Sequence, residues 1–275
     1  MGKKVFGSVA LLIMMMSVFS CSSKVEVLDV AENVQSVTDF NEEAKTSESV
    51  TEVPTEPSTL SPKQVLKMPK DYELNGFGML DVEPIMQLPE LPTGCEVTSL
   101  AAALNYNGFY VTKEELADEY LTTADPFKAT FDEAFILSPR MPEAYGCNSP
   151  VIKKAAEDYF KAIDADWSVY DLTGTDFKDL FYQIDEGRPV IVWASMWLMD
   201  VSYTLRWTTE DGQEAWFAEG EHCMTMKGYD LETDTVYVCD PLRGEIEYPI
   251  SRFEEIYDQL GKQALVIYDR EILYD

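Results

Sequence analysis

The sequence predicts an α+β domain in which N-terminal helices pack on an antiparallel sheet. From Cys95 onward the apolar residues Val97, Leu100, Ala101 and Leu104 recur at the spacing of one helix face. After Gly187 the pattern turns to β: R-P-V-I-V-W-A-S-M-W is a buried-strand run, and E-H-C-M-T-M-K-G-Y-D with T-V-Y-V-C-D reads as a hairpin. Helices first and strands afterwards is the order of an α+β chain.

The segments follow in sequence. Met1 to Lys4 is a short basic start, and Val5 to Phe19 is almost purely apolar. At roughly 15 residues this run is shorter than the about 20 that span a membrane, and it fits the core of a signal peptide over residues 1–20. It ends in Val18-Phe19-Ser20-Cys21, which resembles a bacterial lipobox, so Cys21 is expected to be the lipidated first residue of an exported lipoprotein. Its acyl chains would anchor the protein to a membrane at ~0.8 kcal/mol per buried CH₂. Residues 21–70 are acidic, rich in Ser, Thr and Pro, and nearly devoid of aromatics. Such a stretch cannot bury enough apolar surface to offset its ordering entropy, and it reads as a disordered tether with a reach of about 40 Å. Residues 71–275 hold nearly all the Trp, Tyr and Phe, enough for one domain and its core.

Within that domain the helix Cys95–Asn105 has a stop signal at Gly108. T-K-E-E from Thr112 fits a capping box with Glu115 as the third residue after the cap. Pro150 stands in the first turn of the amphipathic P-V-I-K-K-A-A-E-D-Y-F-K-A-I. Thr175 is expected to cap D-F-K-D-L-F-Y-Q-I-D-E, which stops at Gly187. Y-P-I and Q-A-L-V-I-Y read as later strands, with a short helix Phe253–Leu260 between them.

The chain has one histidine, His222. Pairing His222 with Asp240 across the hairpin sets Met224 opposite Val238 and Met226 opposite Val236, with Thr225–Tyr237 and Lys227–Thr235 on the more polar side. His222 and Asp240 then emerge on one face as a base and its orienting carboxylate, with Asp240 expected to accept Nδ1–H and leave Nε2 for a thiol proton. Cys95 opens a helix, where the macrodipole lowers a thiol pKa and favours the nucleophilic thiolate. Gln87 precedes it in Q-L-P-E-L-P-T-G-C and could aim an amide at the site; with the Cys95 N–H it would make an oxyanion hole.

The net charge of −29 argues against nucleic acid and anionic lipid headgroups as partners. A zinc site of His222, Cys223, Cys239 and Asp240 is opposed by strand alternation, which turns His222 and Cys223 to opposite faces. The same register sets Cys223 against Cys239, either as a cross-strand disulfide or as two small buried hydrophobes, the reading preferred here. Cys147 stands apart. Trp193, Trp197, Trp207 and Trp216 read as core or sheet covering, and Glu219 and Glu221 as solvated loop residues.

Q-L-P-E-L-P-T-G-C-E-V-T-S-L-A-A-A-L-N-Y-N-G, Y-G-C-N-S-P-V-I, R-P-V-I-V-W, E-H-C-M-T-M-K-G-Y-D, V-C-D-P-L-R-G and G-K-Q-A-L-V-I together resemble the peptidase C39-like family, from about Ile85 to Ile267. The resemblance implies a papain-like cysteine peptidase fold, with Cys95 matching the nucleophile, His222 the base, Asp240 the orienting acid and Gln87 the oxyanion residue. The best-known members cut double-glycine leader peptides while fused to an exporter. This chain has no G-x-x-x-x-G-K-[ST] loop, so it looks instead like the stand-alone secreted branch. The expectation is a lipid-anchored thiol hydrolase at the bacterial cell surface, acting on peptide or amide bonds of a peptide or protein without a metal or organic cofactor. The same site would serve acyl transfer to an amine, as in transglutaminase-like relatives, and the same fold a non-catalytic surface binding module.

Overall fold

The computed structural model describes residues 67–270; the expected signal peptide, Cys21 and the tether as far as residue 66 lie outside the described residues. In chain order the elements are β1 (Phe77–Met79), α1 (Cys95–Tyr106), α2 (Lys113–Glu115), β2 (Thr123–Ala124), β3 (Phe135–Ile136), α3 (Ser149–Ala162) and β4 (Trp167–Asp171). Then come α4 (Phe181–Asp185), β5 (Val190–Ser195), β6 (Ser202–Thr208), β7 (Glu214–Glu219), β8 (Glu221–Asp230), β9 (Thr235–Asp240), β10 (Gly244–Pro249), α5 (Ile250–Gln259) and β11 (Ala264–Asp269). The expected α+β class is what forms.

The main sheet runs β10-β9-β8-β5-β11-β4, with β1 added to β8, and every pair in it is antiparallel. One face is covered by α1 and α3, which bury Val97, Leu100, Leu104, Ile152, Ala155 and Phe160 against Ile191, Trp193, Cys223 and Ile267. The other is covered by α4 and α5, where Phe181, Ile184, Phe253 and Ile256 meet Val192, Met224, Met226 and Val238. Helices on both faces explain why β5 is an unbroken apolar run: all six of its residues are buried. At ~25 cal/mol per Å² of apolar surface, these two cores are the main stabilising contribution. The hairpin β6–β7 forms a separate two-stranded sheet.

Several local expectations hold. The Thr112 Oγ1 accepts the Glu115 N–H at 3.1 Å, and the chain continues from α2 through a π-helical turn, Leu116–Tyr120. Pro150 lies in the first turn of α3, and Gly187 ends the α4 segment with φ +78°. Thr175 does not cap that segment. Asp176 precedes the 3₁₀ turn Phe177–Leu180 that leads into α4 and makes no capping bond, its carboxylate being engaged by Lys262 Nζ at 2.6 Å.

The β8–β9 hairpin forms in a different register. Thr225 faces Cys239 and Met226 faces Val238, which is two residues from the expected pairing; a bulge at Lys227 then sets Gly228 opposite Tyr237. A two-residue slide preserves which side chains share a face, so the apolar pattern cannot oppose it. The bulge lets Lys227 send its ammonium to Val82 O and Glu245. Cys239 therefore faces Thr225 and not Cys223, which pairs with Trp193 of β5 on its other side, and all four cysteines among the described residues are free and buried.

Candidate active site

Cys95 is the first residue of α1, a helix buried on all sides from Cys95 to Leu104. Gly94 precedes it because a Cβ there would stand 2.7 Å from the Leu91 Cβ. Two hydrogen bonds fix α1 on β8: Ser99 Oγ donates to Cys223 O at 3.1 Å, and Thr225 Oγ1 donates to Ser99 O at 3.0 Å. The Cys223 backbone N–H favours the Cys95 thiolate, so the sulfur lies against β8 at the residue following His222.

His222 and Asp240 meet as expected: Nε2 and Asp240 Oδ1 are 2.8 Å apart, both side chains almost wholly buried. The nitrogen engaged is Nε2, where the sequence suggested Nδ1. In the observed register Asp240 is a diagonal rather than a direct neighbour of His222, so it meets the far edge of the ring. Asp240 Oδ1 also accepts the Leu242 N–H at 2.8 Å. Burial alone would raise the Asp240 pKa; the His222 hydrogen bond and charge, with the Leu242 N–H, outweigh it and hold the carboxyl below its ordinary value.

The thiol departs further from expectation. Cys95 Sγ donates to Glu96 Oε2 at 3.3 Å and not to His222. Burial, then the charges of Glu96 and Glu221, push the thiol well above its ordinary pKa, so in this arrangement the helix N-terminus does not make a thiolate. Glu96 is fully buried, and its other oxygen accepts the Cys147 N–H at 2.8 Å. Desolvation raises its carboxyl to about 7 despite these bonds. Glu221, expected in a solvated loop, is the first residue of β8; its Oε1 is buried without a hydrogen-bond partner, and burial and the Glu96 charge raise its pKa well above the carboxylate range. The Cys95 Sγ and one oxygen each of Glu96 and Glu221 lie within 4.8 Å of one another. One sulfur and two oxygens could supply three of the four ligands of a tetrahedral ion.

Gln87 lies beside the carboxylate end of the site, its N–H donating to Pro241 O at 2.8 Å. Its side-chain amide is turned into its own loop, where Nε2 donates to Pro92 O at 2.8 Å. Of the tryptophans, Trp193 and Trp207 are core residues that donate to Cys147 O and Ala129 O, whereas Trp197 and Trp216 are exposed. Sequence reasoning missed Glu96 and Glu221 as neighbours of the thiol, and the bond that ties Glu96 to the Cys147 N–H. A glutamate in the first turn of a helix is the ordinary response to the helix dipole, so nothing marked Glu96 as buried.

The family described as Peptidase_C39 like matches residues 79–265. The uncharacterized protein YvpB of Bacillus subtilis (strain 168) is 33% identical over 188 residues, covering 66% of this chain and 72% of that protein. A crystal structure from Bacillus anthracis, described as a C39-like peptidase, is 30% identical with a TM-score of 0.62, covering 70% of this chain and 98% of that one.

Proposed function

The chain belongs to the Peptidase_C39 like family, with the fold of papain-like cysteine peptidases, and from that premise we propose that it is a thiol hydrolase of peptide or amide bonds. The observation that carries the reading is the buried 2.8 Å contact of His222 Nε2 on β8 with Asp240 on β9, while the Cys95 sulfur lies at the next residue, Cys223, whose side chain is on the other face of β8. With Nε2 held, Nδ1 is the nitrogen left for catalysis. For catalysis Cys95 has to leave Glu96 and come within reach of Nδ1, a contact that the resting arrangement does not make; it then gives its proton to Nδ1, and the thiolate adds to the carbonyl carbon. The oxyanion is met by the Cys95 N–H and, after a turn of its amide, by Gln87. Collapse expels the amine, which takes the proton from the imidazolium. Water, deprotonated by His222, then splits the thioester to release the acid and restore the thiol. A protonated thiol bonded to Glu96 is the resting state that substrate must displace.

The apolar segment Val5–Phe19 and the Val18-Phe19-Ser20-Cys21 sequence support export and lipidation at Cys21, which would place the hydrolase at the cell surface on a tether. Digestion of a peptide library by the wild type and by Cys95→Ala tests the activity. Products made by the wild type alone are expected; identical profiles would refute it. An added amine appearing in those products would assign acyl transfer instead. If no peptide of the library is cleaved, yet wild type and Cys95→Ala bind the same peptides equally well, the fold serves binding and not catalysis.

A further inference from the structure

Among the described residues two lysines are buried, Lys113 at 8% exposed and Lys227 at 7%. Both send the ammonium into one loop, the stretch 80–94 that joins β1 to α1 and carries Gln87. Lys113 Nζ donates to Met86 O at 2.5 Å and to Glu90 Oε2 at 2.8 Å, one residue before Gln87 and three after it. Lys227 Nζ donates to Val82 O at 3.2 Å, near the start of the loop. The loop contains Pro84, Pro89 and Pro92, which supply no N–H, and it forms no helix or strand of its own. Its carbonyls therefore depend on donors from elsewhere, and an ammonium brings three charge-assisted ones on a single side chain.

The backbone of Gln87 ties the other parts of the site together. Its N–H meets Pro241 O, next to Asp240, and its carbonyl accepts the Leu91 N–H at 2.9 Å. Leu91 O in turn accepts the Gly94 N–H at 3.0 Å, one residue before Cys95. The Gln87 side chain is fixed less firmly. It is buried with Nε2 on Pro92 O, and its Oε1 has no hydrogen-bond partner. An amide left half unsatisfied in the interior loses less by turning than one bonded at both ends. Where it can reach is then set by the backbone beneath it, and Lys113 holds that backbone on both flanks.

We propose that Lys113 is a positioning residue of the hydrolase: by bridging Met86 O and the Glu90 carboxylate it holds the turn from which the Gln87 amide meets the oxyanion. The consequence for rate rests on the hydrolase reading, whereas the clamp on the loop stands without it. Lys113 is itself placed by the Thr112 cap at the start of α2. Glu114 Oε1, 3.7 Å from the ammonium, adds charge but lies off the loop.

The test compares full-length wild type with Lys113→Met, which keeps the stem without the ammonium, and with Lys113→Arg and Gln87→Ala. Deuterium exchange of residues 85–94 reads the clamp, and steady-state hydrolysis of the library peptide that wild type cleaves fastest reads its consequence. Lys113→Met is expected to speed exchange at Gln87 and Leu91 by about tenfold or more while leaving α1 unchanged. Its kcat should fall by about tenfold or more, toward the roughly 100-fold loss expected of Gln87→Ala, with KM within about twofold. Lys113→Arg should recover most of both. Combined with Gln87→Ala, Lys113→Met should cause no further loss, because it acts through that amide; a general structural role would add its own loss. Glu90→Ala, at an exposed position, frees one side of the clamp and should move both readouts the same way by smaller factors, which decides the matter if Lys113→Met does not fold. Unchanged exchange at 85–94, or a loss additive with that of Gln87→Ala, would overturn the proposal. Equal hydrolysis by wild type and Lys113→Met would overturn it and leave the hydrolase standing. A wild type that cleaves no peptide would refute the hydrolase, and with it the effect on rate, while exchange alone would decide the clamp.

Discussion

Glu96 couples two segments and holds the thiol, through Cys147 N–H on one oxygen and Cys95 Sγ on the other. Its folded-state pKa is raised to about 7, above the value of 4.5 for a free glutamate. A raised carboxyl means that the folded protein binds the extra proton, so the contribution to stability is complete below about pH 4.5 and is lost as pH rises through about 7. Glu96→Gln should flatten that dependence: between about pH 5 and 8, urea unfolding of the wild type should lose on the order of 2 kcal/mol that the variant retains. For Asp240 the expected effect is on rate. Asp240→Asn keeps the shape but replaces the acceptor that fixes the His222 tautomer, and peptide hydrolysis should fall by about 100-fold or more. A fall of less than threefold would remove Asp240 from the mechanism.

At the scale of elements, the approach of α1, α3 and β8 is set at one glycine. Gly146 has φ +106°, and a Cβ there would stand 2.6 Å from Glu96 Oε1 and 3.1 Å from Glu221 Oε2. Gly146→Ala should therefore cost about 1–3 kcal/mol in denaturant unfolding, and should speed Cys95 alkylation by displacing the two carboxyl groups that raise its pKa. The helix at Cys95, the cap at Thr112 and the strand Val190–Ser195 were legible because each depends on local periodicity or a neighbouring side chain. The placement of Cys223 was not. Alternation fixes the face on which His222 and Asp240 stand, yet tolerates a two-residue slide, and a bulge at Lys227 adds no signal of its own to E-H-C-M-T-M-K-G-Y-D. The thiol environment was invisible for a related reason: it combines Glu96 on α1 with Glu221 on β8, and burial of neither follows from its neighbours in sequence.

For the whole molecule, the two cores on opposite faces of one sheet leave each described cysteine enclosed and unpaired. Alkylation after denaturation, without any reductant, should add one label at each of Cys95, Cys147, Cys223 and Cys239 in peptide mass maps. Failure to label Cys223 and Cys239 together would mean that they are bonded after all.

The sheet also sets an order of opening. β8 is flanked by β5 and β9 and, toward its end, by β1, whereas β6 and β7 pair only with each other. Amide hydrogens of β8 should be among the slowest to exchange with deuterium and those of the β6–β7 ribbon among the fastest. The imidazole thus rides on the most protected strand, while Tyr203 and Trp216 ride on a ribbon free to breathe. Local fluctuation of the ribbon therefore leaves His222 paired with Asp240, so that opening around Tyr203 and Trp216 and integrity of the base are governed by separate cooperative units.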